Sequence, residues 1–120
     1  KTPDFLCLNF ANPDMVGHTG LTNAIVKACE TVDNCLEKLV KCLTELDYSI
    51  IIIADHGNAD KMKNKDGSAH TAHTVNMVPV IVMDQNVKVV KNGKLADIAP
   101  SILKLMEIDK PKEMTGESII

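Results

Sequence analysis

A chain of 120 residues that is 45% apolar is at most one domain, or a piece of one. Its net charge of −3 offers nothing for nucleic acid or an anionic membrane to hold. No apolar run approaches the length of a membrane span and no segment has the layout of a signal peptide, so a cytoplasmic protein is expected.

With an aromatic content of 2% and no Trp, the core must be aliphatic. All 13 basic residues are lysine, so a bidentate guanidinium clamp for a phosphate or carboxylate would have to come from outside these residues. Cys7, Cys29, Cys35 and Cys42 form no C-x-x-C pair and are expected to be reduced, buried small hydrophobes.

In chain order, residues 5–10 (Phe-Leu-Cys-Leu-Asn-Phe) form a short apolar run that suits a strand covered on both faces. From Leu21 the period changes. Leu21, Ile25, Ala28, Val32, Leu36, Leu39, Leu43 and Leu46 step by three and four, which predicts one long amphipathic helix. Residues 49–54 (Ser-Ile-Ile-Ile-Ile-Ala) predict a second strand, and the strand–helix–strand order predicts a right-handed parallel crossover. The fold class expected is therefore α/β, a mostly parallel sheet flanked by helices.

Residues 55–77 carry no apolar period and are rich in Asp, Asn, Lys, Gly, His and Thr. Unstructured connections that long are usually functional or disordered, and the ligand-type residues at both ends favour function. Residues 78–83 predict a third strand, and 87–90 a short edge ribbon turning at Asn92-Gly93. Asp97 is expected to cap a helix with Pro100 in its first turn and Ile98, Ile102, Leu105 and Met106 facing the core. The tail after Asp109 reads as irregular.

All four histidines fall in three ligand-rich segments, 12–20, 54–60 and 70–74. Asp14 and His18 follow the first predicted strand, and Asp55 and His56 follow the second. Ligands of open parallel sheets bind at the carboxyl ends of strands, so the two pairs are expected to share a crevice. Carboxylate and imidazole without thiolate suit Mn, Zn or Co better than Mg or Ca. His70 and His73 compete for one further ligand position. Asn58 and Asp60 either orient ligands or satisfy their own turn. Gly17 and Gly57 are expected to permit backbone turns.

The segments Asn12-Pro-Asp-Met-Val-Gly-His-Thr-Gly20, Ala54-Asp-His-Gly-Asn-Ala-Asp60 and His70-Thr-Ala-His-Thr-Val-Asn-Met-Val-Pro79 resemble cofactor-independent phosphoglycerate mutases. Leu95-Ala-Asp-Ile-Ala-Pro100 and Met114-Thr-Gly116 resemble the C-terminal segment of that family. The resemblance implies an alkaline-phosphatase-like fold, incomplete in this chain, with residues 1–120 as the C-terminal portion of the metal-binding domain. It implies interconversion of 3-phosphoglycerate and 2-phosphoglycerate in glycolysis, through a transiently phosphorylated serine. It implies two divalent ions, manganese first, with magnesium, cobalt and zinc as alternatives. Carried over residue by residue, Asp14, His18 and His73 would hold one ion, and Asp55 and His56 the other.

None of Ser49, Ser68, Ser101 and Ser118 lies in the nucleophile context of that family. The nucleophilic serine, a further aspartate ligand and the inserted, arginine-rich substrate domain are therefore expected outside these residues. The chain alone is expected to be inactive, to require the rest of its parent and to bind metal more weakly than the parent does. Another alkaline phosphatase relative, such as a phosphopentomutase or a phosphatase, and a non-catalytic metal-binding module are the rival readings.

Overall fold

A computed structural model describes residues 2–120. The elements are α1 (Asn12–Gly17), α2 (Thr22–Glu45), β1 (Ile50–Ile53), β2 (Val80–Met83), a 3₁₀ turn (Leu95–Asp97) and α3 (Ile98–Leu105). They divide between two units, one formed by residues 1–39 and 56–77, the other by 40–55 and 78–120. Among the described residues, no helix is long and apolar enough to cross a membrane.

In the first unit, α1 is a short helix that the sequence reading missed. Pro13 sits in its first turn, where the absent N–H is one no helix uses, and Asp14 places a carboxylate at the positive end. Gly20, at φ +68°, then turns the chain by a left-handed step that a side chain would resist. The predicted long helix is present as α2, and its buried residue is Ile25. Pro13 faces Cys29, Val32 and Leu36 across an open cleft.

The four cysteines are free but exposed, not buried as expected. Three of them ride on α2 beside its apolar stripe, of which Ile25 is buried and Ala28, Val32, Leu36, Leu39 and Leu43 are half-buried. Residues 5–10 form no strand. Phe5, Leu6 and Leu8 are exposed, and an apolar run becomes a strand only when a neighbour takes up its N–H and C=O groups.

In the second unit, α2 ends at Glu45 and is closed off by Asp47, which takes a left-handed φ of 59° while Tyr48 N–H reaches back 3.0 Å to the Leu43 carbonyl. This is the Schellman closure, with an aspartate in the place glycine usually fills. β1 and β2 pair with Ile50 opposite Met83 and Ile53 opposite Val80. The pairing is antiparallel, so it does not confirm the mostly parallel sheet expected from the sequence. Apolar runs of four residues do not encode direction. Moreover, Ile53, Ile81 and Met83 are exposed, so the two-sided burial that favoured a parallel sheet is not met. The Ser49 hydroxyl donates to the Asp84 carboxylate and ties the ends of the pair together.

The predicted ribbon at 87–90 is also absent. The chain there is held instead by the C-terminal tail, with Lys91 N–H donating to the Ile119 carbonyl at 2.8 Å. Asp97 stands at the start of α3 but makes no side-chain cap bond to it. Its carboxylate turns back to accept Lys94 N–H and Glu117 N–H, each at 2.9 Å. Ser101, 1% exposed, donates to the Asp97 carbonyl at 2.7 Å and accepts Ile119 N–H at 3.0 Å. The tail is thus irregular in outline yet stitched residue by residue to α3. Ile98, Ile102 and Leu105 are half-buried as the periodicity suggested, whereas Met106 is exposed.

Candidate metal centre

Four of the predicted ligands meet in the first unit. Asp14, on α1, is the hub. Its Oδ1 lies 3.2 Å from His18 Nε2, 3.1 Å from His73 Nε2 and 3.9 Å from His56 Nε2. Asp14 and His18 are four residues apart, the helical spacing that sets two side chains on one face. The His56 and His73 rings stack with centroids 3.7 Å apart and planes 19° from parallel. His18 tilts against His73 at 5.1 Å.

Each group is held from behind. His18 Nδ1 lies 2.7 Å from the Thr71 carbonyl, an acceptor, so Nδ1 donates there and Nε2 is the ring nitrogen turned to Asp14. The Asn58 side-chain amide donates to Asp14 Oδ1 at 2.7 Å and to the Asp14 carbonyl at 3.2 Å. That amide, then His18, His73 and His56, hold the Asp14 carboxyl below its ordinary 3.8 against the opposing effect of burial.

Across the loop, Thr74 N–H donates to the Gly57 carbonyl at 2.7 Å. The Thr74 hydroxyl donates to both Asp60 oxygens, at 3.2 and 3.1 Å, and the Asn76 amide donates to the second of them. Asn58 therefore bonds to the ligand residue Asp14, and Asp60 to Thr74 and Asn76 in the segment that follows His73. Gly17 and Gly57 have no left-handed φ, so their need is space and not a turn. A Cβ on Gly17 would overlap Asn58 Oδ1, and one on Gly57 would overlap Thr74 Oγ1.

His70 goes elsewhere, its Nδ1 lying 2.9 Å from Asn64 Oδ1. Asp55 belongs to the second unit and is exposed. Thr71, Thr74 and Asn76 support the histidines and were missed in the sequence. The available signal was their position immediately around His73 in a segment with no apolar period.

The donors of Asp14, His56 and His73 all lie within 4.8 Å of one another. An ion bound at about 2.1 Å in tetrahedral geometry sets its donors about 3.4 Å apart, and the separations of the three imidazole Nε2 atoms from Asp14 Oδ1, 3.1, 3.2 and 3.9 Å, lie around that value. One carboxylate and two imidazoles, with a third imidazole adjacent, is a donor set for a divalent transition metal. The residues fit such an ion.

Comparisons with known proteins agree with this chemistry. The family model described as the Metalloenzyme superfamily matches residues 1–110. The chain is 56% identical over 117 residues to the 2,3-bisphosphoglycerate-independent phosphoglycerate mutase of Aster yellows witches'-broom phytoplasma. It is 53% identical to the protein of that name from Flavobacterium johnsoniae and 54% identical to the one from Clostridioides difficile. Each match covers 98% of this chain but only 23–24% of the relative, so the chain spans about a quarter of their length. With that family model matching residues 1–110, the chain belongs to the Metalloenzyme superfamily.

Proposed function

We propose that this chain is the C-terminal metal-binding portion of a cofactor-independent phosphoglycerate mutase, an isomerase of glycolysis acting in the cytoplasm. The parent protein interconverts 3-phosphoglycerate and 2-phosphoglycerate through a phosphoserine whose serine lies outside residues 1–120. The observation that carries the reading is the convergence of Asp14, His18, His56 and His73, in a chain 52–56% identical to several enzymes of that name.

Asp14, His18 and His73 are assigned to one divalent ion. Asp55 and His56 are assigned to a second, Asp55 on its sequence position beside His56 alone. Manganese is the first choice for both, with magnesium, cobalt or zinc as substitutes. When bound, such ions act as Lewis acids that neutralise the transferring phosphoryl group and acidify the attacking hydroxyl. Ion pairs of this kind sit about 3.5–4 Å apart, and the 3.7 Å stack of His56 on His73 sets imidazoles of the two assigned groups side by side.

The residues of this chain bind and orient. Asp14 supplies negative charge at the hub and Asn58 fixes its carboxylate. The Thr71 carbonyl keeps His18 in the tautomer whose Nε2 can donate electrons. The chain has no arginine, so the substrate's carboxylate and phosphate are to be clamped by the inserted domain of the parent.

The test is a mutase assay on the full-length protein with manganese present and bisphosphoglycerate absent, for wild type and His73→Ala. Wild-type turnover that falls at least a hundredfold in the variant is expected. Phosphopentomutase or phosphatase activity in place of mutase activity would overturn the substrate assignment. Wild-type mutase rates in His73→Ala would overturn the ligand assignment.

A further inference from the structure

Asp14, His56 and His73 come from three separate stretches of chain, and a single four-residue turn touches all of them. We propose that Gly57-Asn58-Ala59-Asp60 sets the register of the metal centre, with Asn58 and Asp60 as positioning residues that bind no ion themselves. The inference rests on the reading of Asp14, His56 and His73 as ligands and extends it to what holds them in place.

The turn reaches each ligand by a different route. His56 is joined to it directly by a peptide bond. Asp14 is gripped by Asn58, whose amide bonds both to the carboxylate and to the carbonyl of the same residue. His73 is held through its neighbour Thr74, which bonds to the Gly57 carbonyl by its N–H and to Asp60 by its hydroxyl.

Both positioning side chains are already engaged with the residues around the ligands. The Asn58 nitrogen is a donor with no lone pair to give, and both Asp60 oxygens accept from Thr74, with Asn76 adding to one of them. Asn58 is only 6% exposed. A buried amide–carboxylate bond is stronger than one in water and costly to leave half-made. It also occupies one lone pair of Asp14 Oδ1, which restricts how that carboxylate can face an ion. The fit is steric as well, because Gly17 and Gly57 leave room for Asn58 and Thr74 that a methyl group would fill.

Two substitutions separate positioning from packing. Asn58→Leu keeps the volume and removes the amide. Thr74→Val keeps the shape and removes the hydroxyl that Asp60 accepts. The full-length protein and both variants are titrated calorimetrically with Mn²⁺, and the visible spectrum of bound Co²⁺ is recorded as a report of ligand geometry. Each variant is expected to raise the Mn²⁺ Kd about 10–100-fold and to shift the cobalt bands. Metal-free melting temperatures are expected to stay within a few degrees of wild type. The double variant is expected to depart from the product of the two effects, because both arms belong to one turn and the ligands they hold lie 3.1 Å apart.

Wild-type Mn²⁺ affinity and cobalt spectrum in the folded variants would overturn the register role while leaving the ligands standing. If Asn58→Leu does not fold, Thr74→Val alone decides the same question. No Mn²⁺ binding by the wild-type protein would overturn the ligand reading itself.

Discussion

Gly116 lies against the backbone of Ala96 so closely that a Cβ added to it would overlap the Ala96 carbonyl oxygen. Backbone cannot swing aside as the end of a long side chain can, so the substitution Gly116→Ala must push the tail away from the 3₁₀ turn Leu95–Asp97. Overpacking of this kind costs about 1–3 kcal/mol. The denaturant midpoint of Gly116→Ala is expected to fall accordingly. A midpoint equal to wild type would show that the tail is not seated on Ala96.

Ser101 joins two strands of the same stitching, and its hydroxyl is both donor and acceptor. Ser101→Ala leaves Ile119 N–H buried without its acceptor, a loss of about 1–3 kcal/mol. Hydrogen exchange at the Ile119 amide is expected to accelerate well beyond that of amides in α2. Unchanged protection of Ile119 would contradict the assigned bond.

Asp97 makes this region sensitive to acid. The N–H groups of Glu117 and then Lys94 hold its carboxyl below the ordinary 3.8. A carboxyl whose folded value is depressed contributes stability above its unfolded value and loses that contribution as pH falls through the folded one. The contribution is therefore present above pH 3.8 and fades below it. Urea midpoints measured between about pH 5 and pH 2 are expected to fall less steeply for Asp97→Asn than for wild type, the variant starting lower at pH 5. Parallel curves would remove Asp97 from the acid limb.

Gly17 gives the metal centre its own steric test. A Cβ there overlaps Asn58 Oδ1, so Gly17→Ala displaces the amide that holds Asp14 without altering any ligand. Loss of Mn²⁺ affinity of about tenfold or more is expected in a calorimetric titration. Retained affinity would mean that Asn58 and Asp14 move together as one body.

What the sequence made legible follows its physics. Six of the eight apolar positions fall within α2, and their helical spacing runs over many turns. The isoleucines of β1 mark a strand because β-branched side chains suit a pleat. Their antiparallel direction depends on which chain arrives alongside, a fact that four identical residues cannot carry. α1 was hidden because six residues are too few to show a period. Asp97 looked like a helix cap, and only the return of Glu117 past it explains why its carboxylate points backwards.

At the candidate site, clustering of all four histidines was readable because imidazole beside carboxylate is a rare and purposeful pairing. The choice of His73 over His70 beside Asp14 was not readable from spacing. It follows from Thr74 and Asn76 anchoring one side of the loop to Asp60, and from Asn64 turning His70 the other way.

The stack of His56 on His73 closes the intervening loop like a clasp, and that loop carries Lys61, Lys63 and Lys65, all exposed. Ions held at its two ends would fasten the clasp, since a ligand that binds only the closed form lowers the population of the open one. Trypsin, which needs an opened chain around a lysine, thus becomes a gauge of metal supply. Cleavage of the full-length protein at these three lysines is expected to slow when Mn²⁺ is added and to quicken when it is chelated. Equal rates would show that the clasp holds without an ion. In a cell short of metal, the same opening would cost the protein its lifetime as well as its activity.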